Sequence, residues 1–487
     1  MKKIKILTAG IIMISIAANA QNEVDALRYS TVFFGGTARY SAMGGAFGAI
    51  GADFSTLSTN PAGVGVYRRN EITFTPSVYT GKTISTYDGK GSDDIKYNFN
   101  ISNFGLVCAI KTNSSNDQVG WKSINFAFGL NRYDNFNNRM AVEGYNHSSS
   151  MMDVYRDAAQ GWSPDNLDAF STQLAFNAYL IDTVNSLTNY KTYKSNVPGG
   201  TILQRKTEET RGAMQEMVLA AGANYNNKLF IGGAINFPHI RYSKISTYSE
   251  IDKSDTIPDF DKFSLNEDLL TTGTGFNFKV GLIYVPLDLE MLKIKLGAAV
   301  HSPTFFAMHD EWSNAMTSTF ESKYCSYDSP QGLFDYRLTT PMRAIGSIAF
   351  QIGHYGTISA DYEFVDYSES RFYSKSYSYF DVNNLVRAEY TTAHNIRMGA
   401  EAVFGHFSLR GGYAIYGSPY HSGINDGMKT AISGGVGIID KDYFLDFGYV
   451  YSYAKEDYYF YNYPGKISPV KNELITNNFL VTLGIKF

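Results

Sequence analysis

The chain has 487 residues, with 42 Lys+Arg against 46 Asp+Glu, so its formal net charge is −4. Charged residues make up 18% and aromatic residues 15%, and the mean hydropathy is −0.21. Beyond the N-terminus no apolar run approaches the roughly 20 residues of a spanning helix, which argues against a helical membrane bundle. The near balance of charge indicates no nucleic-acid surface, and two cysteines cannot build a disulfide scaffold.

The first 20 residues have the pattern of a secretory signal peptide. Three lysines lie within the first five residues, 6–17 is mostly apolar, and Ala-Asn-Ala at 18–20 is a small-x-small cleavage site. A membrane anchor is the alternative, but the apolar stretch is too short for it. We expect an exported chain that begins at Gln21.

Long stretches beyond residue 70 alternate apolar residues with polar or small ones. The alternation is strong in 443–454 and in 473–487, where successive side chains of a strand would point to opposite faces. A soluble antiparallel sandwich would alternate in the same way. The segments are, however, about ten residues or longer, which suits a tilted membrane strand better than a strand of the usual five or six.

The alternating segments predict about fourteen strands whose connections are short and long in turn. Tight turns fall near 353–355, 404–406 and 440–442, with long connections between them. Short periplasmic turns and longer external loops are typical of outer-membrane barrels, which have an even number of strands. The predicted strands are 71–80, 95–111, 121–133, 213–226, 228–249, 272–287, 291–302, 341–353, 355–366, 388–404, 406–416, 429–440, 442–457 and 473–487.

We therefore predict an all-β protein, a transmembrane antiparallel barrel formed by residues 70–487. Its location would be the outer membrane of a Gram-negative bacterium. A long external loop is expected at about 134–212. Residues 21–69 do not alternate and are rich in small residues and turn formers. This composition is compatible with a plug inside the lumen and with a periplasmic tail, and it does not distinguish between the two.

The run GGTARYSAMGGAFGAIGADFSTLSTNPAGVG, residues 35–65, resembles the N-terminal hatch of the FadL family, outer-membrane transporters of long-chain fatty acids and other hydrophobic compounds. The segments ISADYEFVDY at 358–367, NIRMGAEA at 395–402 and LRGGY at 409–413 are similar to barrel strands of that family. The hatch motif, which includes the family's NPAG element, consists of Gly44, Gly45, Asn60, Pro61, Ala62 and Gly63.

This resemblance implies a fourteen-stranded barrel that the hatch plugs. In the family scheme a ligand is captured on an apolar outer groove and passes to a pocket in the lumen. After a movement of the hatch, it leaves sideways through an opening in the wall where the third strand is kinked. Here that strand would be 121–133, with Gly129 and Asn131 at the candidate opening, because glycine weakens strands and marks bulges. The alternative is that Gly129 only allows tight packing. The length of 134–212 departs from an ordinary external loop and leaves the mode of capture open.

Two external segments are candidates for ligand capture. Ser163-Pro164 has the pattern of a helix start, and apolar residues follow at helical spacing up to Ile181, including Phe170 and Leu174. The apolar face of this helix would either roof the barrel or form the capture groove. The second candidate is an apolar cluster at 303–308, after the seventh strand, with Phe305 and Phe306.

Charged side chains are predicted on the inner face of neighbouring strands. One of the arginines could bind a ligand carboxylate, or the charges could pair with one another and brace the wall and hatch. The mixed signs favour the mutual network, because an unpaired charge in a confined lumen is costly. The candidates are Arg343, Asp361, Glu363, Arg397, Glu401 and Arg410.

No common catalytic or metal motif is present in the sequence, so we predict neither an enzyme nor a cofactor or metal site. The predicted function is passive transport of hydrophobic small molecules, most specifically long-chain fatty acids. The expected partners are this ligand and outer-membrane lipid, with no nucleic acid, and the protein is expected to be a monomer. The alternative is a FadL-like shuttle that hands cargo onward in a type IX secretion system.

Overall fold

The computed structural model describes residues 22–112, 119–185, 189–197 and 200–487; the predicted signal peptide at 1–20 lies outside them. The helices in these residues are α1 Glu23–Ser30, α2 Ala38–Ala42, α3 Met151–Ala159, α4 Thr172–Asn177 and α5 Phe380–Glu389. The strands are β1 Glu71–Tyr87, β2 Lys90–Lys111, β3 Trp121–Asn135, β4 Asn138–Asn146, β5 Ile181–Asn185, β6 Asn189–Ser195, β7 Ile202–Tyr225, β8 Leu229–Ile251, β9 Phe260–Asp288, β10 Lys293–His301, β11 Phe305–Phe320, β12 Lys323–Asp328, β13 Gly332–Thr339, β14 Arg343–Ile352, β15 Gly356–Asp366, β16 Arg371–Tyr373, β17 Thr392–Phe404, β18 Phe407–Tyr416, β19 Lys429–Ile439, β20 Tyr443–Tyr458 and β21 Val470–Lys486.

The strands close into one antiparallel barrel, because β1 pairs with β2 on one side and with β21 on the other. Ten wall strands are continuous. The third, seventh, eighth and ninth each consist of two successive pieces: β3 with β4, β10 with β11, β13 with β14, and β15 with β16. The prediction of a fourteen-stranded antiparallel barrel is thus confirmed.

The connections differ between the two ends of the barrel. At one end the strands are joined by short turns, such as 226–228, 405–406 and 440–442. At the other end the chain forms the longer segments 147–201 and 374–391. In barrels of this kind the long loops are external, so the short turns mark the periplasmic end.

The long external loop is shorter than its predicted range of about 134–212. Both flanks of that range belong to the wall, since β4 pairs with the first half of β7 from Asn138–Thr210 to Asn146–Ile202. The alternation of apolar and polar residues is weaker in these flanks than at membrane height. The reason is that the wall above the lipid has water on its outer face, so its outward residues need not be apolar. The loop outside the wall is therefore 147–201.

The outer face of the wall is apolar at membrane height. Phe128, Leu219, Ile235 and Phe278 lie side by side on four successive strands and all point outward. Towards the short-turn end the outer face also carries exposed aromatic residues, including Trp121. An apolar belt bounded by aromatic residues is typical of barrels that face lipid. None of the described helices is both long and apolar enough to cross a membrane.

The N-terminal segment, residues 22–70, lies inside the barrel. The Ala38 amide donates to Thr482 Oγ1 at 2.7 Å, and the Gly44 amide donates to Ser433 Oγ at 3.1 Å. Across the lumen, Asn60 Nδ2 donates to the Leu282 carbonyl of β9, the sixth wall strand, at 3.0 Å. At the end of the segment Asn70 exchanges two backbone hydrogen bonds with Phe487. The segment therefore contacts the wall on opposite sides of the lumen.

The external end is covered by a cap formed by α3, α4 and the β5–β6 hairpin. Apolar side chains of the cap, such as Met152, Leu174 and Ile181, pack with wall residues such as Tyr248 and Phe263 into one buried cluster. This cluster covers the external mouth of the barrel.

The long helix predicted from Ser163 onward is wrong in extent. A single 3-10 turn, Pro164–Asn166, is followed by the six-residue α4, and β5 already begins at Ile181. Asp168 ends the first turn, because its carboxylate accepts hydrogen bonds from the Phe170 amide and the Ser171 hydroxyl. Such side-chain to backbone bonds compete with helix formation.

The apolar cluster at 303–308 also differs from the prediction, which placed it in an external loop. The seventh wall strand breaks only at 302–304 and continues as β11, which pairs with β9 and β13. Pro303 interrupts the ladder because it has no amide proton to donate. Phe305 and Phe306 consequently lie in the wall, one pointing outward and the other inward.

We expect Ile235→Arg to destabilise the barrel, since a cation facing the middle of the lipid costs about 2–4 kcal/mol. The free energy of unfolding of the purified protein in lipid vesicles measures this cost. Ser254→Arg, in the exposed turn after β8, serves as the matched control and should leave the free energy unchanged. Equal stability of the two variants would contradict the lipid-facing position of Ile235.

Candidate functional site

Asn60 connects the hatch motif to the wall. Its Oδ1 accepts a hydrogen bond from the Ala62 amide at 3.1 Å, which caps the 3-10 turn Pro61–Val66. Its Nδ2 donates to the Gly48 carbonyl at 2.7 Å and to the Leu282 carbonyl of β9 at 3.0 Å. Asn60 is 1% exposed, so all three bonds are shielded from water. One side chain thus joins two turns of the hatch to the sixth wall strand.

The glycines of the motif are required by backbone shape and by close contact with the wall. Gly44 and Gly45 both have positive φ angles, of 61° and 73°, which other residues rarely adopt. Gly44 lies directly against β18, and a Cβ built on Gly412 would overlap the hatch backbone. Pro61 lies equally close to Gly232 of β8. The small residues therefore allow the backbone of the hatch to pack on the backbone of the wall.

Five of the six predicted lumen charges form ion pairs or hydrogen bonds that brace the wall and the hatch. Glu401 pairs with Arg410 at 2.7 Å and with Arg39 of the hatch at 2.6 Å. Arg343 pairs with Glu363 at 2.6 Å and also donates to the Ser30 carbonyl of α1. The remaining member of the five is Asp361, which accepts a hydrogen bond from the Gly48 amide at 3.0 Å.

Arg397 differs from the other five because part of its guanidinium group is unused. Nη1 lies 3.5 Å from Glu363, and Nη2 lies 3.9 Å from Asp361. Within the described part of the chain, Nε and Nη2 are buried and have no hydrogen-bond partner. These two nitrogens form one edge of the guanidinium plane, the geometry that binds a carboxylate through two parallel bonds. Arg397 also lines a cavity, described below.

A second buried network was missed by the sequence reasoning. Lys279 of β9 pairs with Glu216 of β7 at 2.7 Å and contacts the Tyr133 hydroxyl. Nearby, His301 Nε2 lies 2.8 Å from the Thr59 carbonyl of the hatch. Along β7 and β9 the side chains alternate between the inner and outer faces of the wall, and Glu216 and Lys279 fall at inward positions. This alternation in the sequence could have identified them.

Two narrow cavities lie in the lumen on either side of hatch residues 33–35. The first, about 60 Å³, is lined by Lys279, His301 and Arg397. The second, about 80 Å³, is lined by residues of β2 and β3, including Asn100. Phe33, Phe34 and Gly35 line both cavities and therefore separate them.

Residues 33–35 are held by the wall on the side of the second cavity. Phe33 packs edge-on against Tyr416 at 5.1 Å between ring centroids, and the Phe34 amide donates to the Tyr416 hydroxyl at 3.1 Å. The ammonium group of Lys429 lies over the Phe33 ring. These contacts join the segment to β18 and β19, and they would have to break if the segment moved.

The second cavity adjoins a gap in the wall. The ladder between β2 and β3 ends at the pair Asn103–Asn131, and the described residues show no ladder between β2 and β4 above it. Asn131 accepts from Asn103 Nδ2 at 2.8 Å and donates to Ser58 of the hatch at 2.7 Å. The candidate Asn131 therefore lies at the lower edge of the gap.

Gly129 lies within the regular ladder, opposite Gly105 and Val218. A Cβ on Gly129 would overlap the ring of Phe54 in the hatch. Its position matches the packing role that the sequence left as the alternative. The register of the third strand shifts at its two ends instead: at 121–123 near the periplasmic turn, and beyond Asn131 at 132–137, where β3 ends and β4 begins.

The four capture candidates are not brought together. Leu174 is buried in the cap, and Phe170 packs against Trp312 at 5.3 Å between ring centroids. Phe305 points outward and stacks on Phe276, whereas Phe306 lines the first cavity. These side chains do not form a common groove.

A wider cleft of about 790 Å³ lies at the N-terminal end of α1, towards the external side, and sequence reasoning did not predict it. Its walls are α1, the β20–β21 loop and residues of β7–β9, with Tyr242 and Lys244 among them. Aromatic rings and charged groups line the cleft together, so it suits a ligand with both an apolar and a polar part. Helix α1 lies between the cleft and the first cavity, since its Asn22–Arg28 portion lines the cleft and Tyr29 lines the cavity.

No protein-family model matches this chain, and no curated protein matches it. Among solved structures, that of a Pseudomonas aeruginosa FadL homologue is similar, with a TM-score of 0.56 and 12% identity over 94% of this chain and 100% of that chain. The Pseudomonas putida toluene transporter TodX is similar with a TM-score of 0.54 and 13% identity, over 94% and 100% of the two chains. The barrel with its internal N-terminal segment therefore has the fold of FadL-type channels.

We expect Asn60→Ala to loosen the hatch, because the buried Gly48 and Leu282 carbonyls and the Ala62 amide each lose a partner. A group left unpaired in this way costs about 1–3 kcal/mol. The variant should unfold at a lower temperature and admit bulky antibiotics into cells that express it.

Asn384→Ala, at an exposed position of α5, is the control and should behave as the wild type in both assays. If Asn60→Ala is as stable and as impermeable as this control, Asn60 does not hold the hatch.

Proposed function

We propose that the protein carries hydrophobic small molecules, specifically long-chain fatty acids, across the outer membrane of a Gram-negative bacterium. The fold supports a channel rather than an enzyme, since the similar solved structures are a FadL homologue and a toluene transporter. The ligand moves down its concentration gradient through the lumen. The hatch motif, including Gly44 and Asn60, controls this passage.

The barrel as it stands is closed to such a ligand. The two inner cavities measure about 60 and 80 Å³, well below the roughly 300–1,000 Å³ of ordinary ligand pockets. Phe33, Phe34 and Gly35 block the way between them. A movement of this segment would join the two cavities, so we propose that transport requires it.

The route that these spaces suggest starts at the external cleft beside α1. The ligand then enters the first cavity, passes the displaced segment 33–35 and reaches the second cavity. From there it leaves sideways through the gap between β2 and the third wall strand, next to Asn131. Lateral exit releases an apolar molecule into lipid rather than into water, which favours release.

Arg397 is the observation that supports a fatty acid over a neutral hydrocarbon. Its unused Nε and Nη2 edge is buried and matches a carboxylate. Glu363 and Asp361 largely balance its charge, so the edge would hold the carboxylate by geometry rather than by an excess of positive charge.

Arg397→Gln should lower uptake of a long-chain fatty acid about tenfold or more, since a hydrogen bond to a charged group contributes about 1.5–3 kcal/mol. Uptake of the fatty alcohol of the same chain length should stay within twofold of wild type. Both are measured with labelled compounds in cells that lack their own fatty-acid transporter.

Arg337→Gln, an outward arginine on β13, is the matched control and should leave both rates unchanged. Arg397→Lys keeps the charge without the two-nitrogen edge, so it should resemble Arg397→Gln. If acid and alcohol fall together in Arg397→Gln, the residue is structural and the case for a carboxylate is lost. If the wild type takes up neither compound, transport itself is rejected.

A disulfide between residues 30 and 370 should stop transport by fixing the end of α1 to the wall. The hydroxyl oxygens of Ser30 and Ser370 are 3.0 Å apart and buried, which suits a Ser30→Cys/Ser370→Cys bridge. With Cys108 and Cys325 first replaced by serine and alanine, oxidation should reduce fatty-acid uptake at least tenfold and reduction should restore it.

The matched control is Ser249→Cys/Ser264→Cys, which joins β8 to β9 where they are already paired and whose hydroxyl oxygens are 2.8 Å apart. Its oxidation should leave uptake unchanged. Full uptake by the oxidised 30–370 variant would mean that α1 and the following segment need not move.

The closed cap is a reason to keep the shuttle in type IX secretion as the second candidate, because a covered mouth presents a surface to a partner rather than an entrance to a ligand. A deletion in the native host separates the two functions. If the protein is a transporter, the deletion strain should lose fatty-acid uptake and secrete normally. If it is a shuttle, the deletion strain should lose secretion and take up fatty acids normally.

A further inference from the structure

The external part of the gap between β2 and β4 is bridged by side chains. Ser92 Oγ donates to the Ala141 carbonyl at 2.5 Å, and Asn135 Nδ2 donates to Asn98 Oδ1 at 3.2 Å. Arg132 Nε donates to the Ile101 carbonyl at 3.3 Å. These bonds replace part of the missing ladder but leave a seam along the outer wall.

A group of cations surrounds the external end of this seam; we call it the arginine cluster. Two carboxylates, Glu143 and Glu209, lie at its centre and are outnumbered by five cations. The cations of the cluster are Lys90, Lys96, Arg139, Arg205 and Arg211. Beside the cluster on β2, Asp93 pairs with Lys82 of β1 at 2.8 Å, and Asp94 adds one negative charge, so the net charge of this surface remains positive.

Strand pairing fixes the geometry of the arginine cluster. Arg139 lies directly opposite Glu209, and Glu143 directly opposite Arg205, on the paired strands β4 and β7. The corresponding ion pairs measure 2.8 and 2.6 Å, and Arg211 reaches Glu209 at 2.5 Å. The three arginine side chains are 45–61% exposed, so donors remain available on the outer surface.

An apolar stripe continues from the cluster towards the membrane. Ile95, Tyr97, Phe99 and Ile101 point outward from β2 along the seam. Tyr97 and Phe99 are 69% and 73% exposed, among the most exposed large apolar side chains of the described chain. Since Lys90 is at the external end of β2, the cations lie above and the stripe below.

A lipid of the outer leaflet has the same order of groups, with anionic phosphate above acyl chains. Arginine binds phosphate through two parallel hydrogen bonds, and clusters of basic residues at a membrane surface attract anionic headgroups. A free anion would use the cluster but not the stripe, whereas a phosphorylated lipid uses both.

We propose that the arginine cluster and the adjoining stripe bind a phosphorylated glycolipid of the outer leaflet. Its phosphate contacts Arg139, Arg205 and Arg211, and its acyl chains lie on Tyr97 and Phe99. The bound lipid covers the external part of the seam, above the exit proposed next to Asn131. This binding requires the membrane orientation described above but does not depend on which ligand the channel transports.

Binding to the purified protein in detergent tests the proposal by native mass spectrometry. The probes are lipid A with its phosphates, lipid A of the same acyl chains without phosphate, and inorganic phosphate as a competitor. The wild type should bind phosphorylated lipid A at least tenfold more tightly than the dephosphorylated form. Millimolar inorganic phosphate should not displace the lipid.

The variant Arg139→Gln/Arg205→Gln/Arg211→Gln should bind phosphorylated lipid A at least tenfold more weakly. The control Lys253→Gln/Lys262→Gln/Lys375→Gln removes three exposed cations elsewhere on the external side and should bind as the wild type. If the triple arginine variant fails to fold, the single variant Arg211→Gln takes its place and should show a smaller loss of affinity for phosphorylated lipid A. The comparison of the two forms of lipid A needs only the wild-type protein.

Three results would overturn the proposal. Equal binding of the two forms of lipid A would mean that the apolar stripe acts alone. Displacement by inorganic phosphate would indicate a free-anion site instead of a lipid site. Unchanged binding in folded arginine variants would mean that the lipid lies elsewhere on the barrel.

Discussion

Hydrogen bonding between the first and last wall strands, β1 and β21, closes the sheet on itself. An unpaired backbone group in hydrocarbon costs several kcal/mol, so a wall at membrane height cannot end in a free edge. Interruptions of the ladder are compensated locally. Where the seventh and eighth strands break side by side, Thr340 donates to the Thr304 carbonyl at 3.0 Å and Thr340 Oγ1 accepts from the Thr304 amide. Closure therefore permits irregular backbone only where other groups replace the ladder.

Closure also creates a lumen, which the N-terminal segment fills. Small residues such as Gly44 allow backbone to lie on backbone, while Asn60, Arg39 and Asp361 add directed bonds to the wall. Most inward charges are consumed in this bracing. Arg397 is the exception, because it keeps two buried nitrogens without a partner and also lines a cavity. Under the proposed function, a structural network and a ligand site would share one set of side chains.

The gap beside the third strand has different surroundings on its two faces. Inside, it adjoins the second cavity and the segment 33–35. Outside, it runs between the apolar stripe and the arginine cluster, where the described residues show side-chain bonds but no ladder. The proposed exit for an apolar ligand and the proposed surface for a lipid would thus use the inner and outer faces of the same interruption.

The amino-acid sequence alone determined the number of wall strands and the face on which residues of the regularly alternating segments lie, because alternation in a strand is local and has a period of two. Alternation also predicted the inward position of Arg397, whereas the hatch motif was predicted only from the resemblance of residues 35–65 to the FadL family. Only the tertiary structure decided that Phe305 continues a strand, that the helix after Ser163 stops early, and that Arg397 keeps a free edge while Arg410 does not. The physical reason is that these outcomes depend on register and on partners hundreds of residues away, which no local pattern encodes.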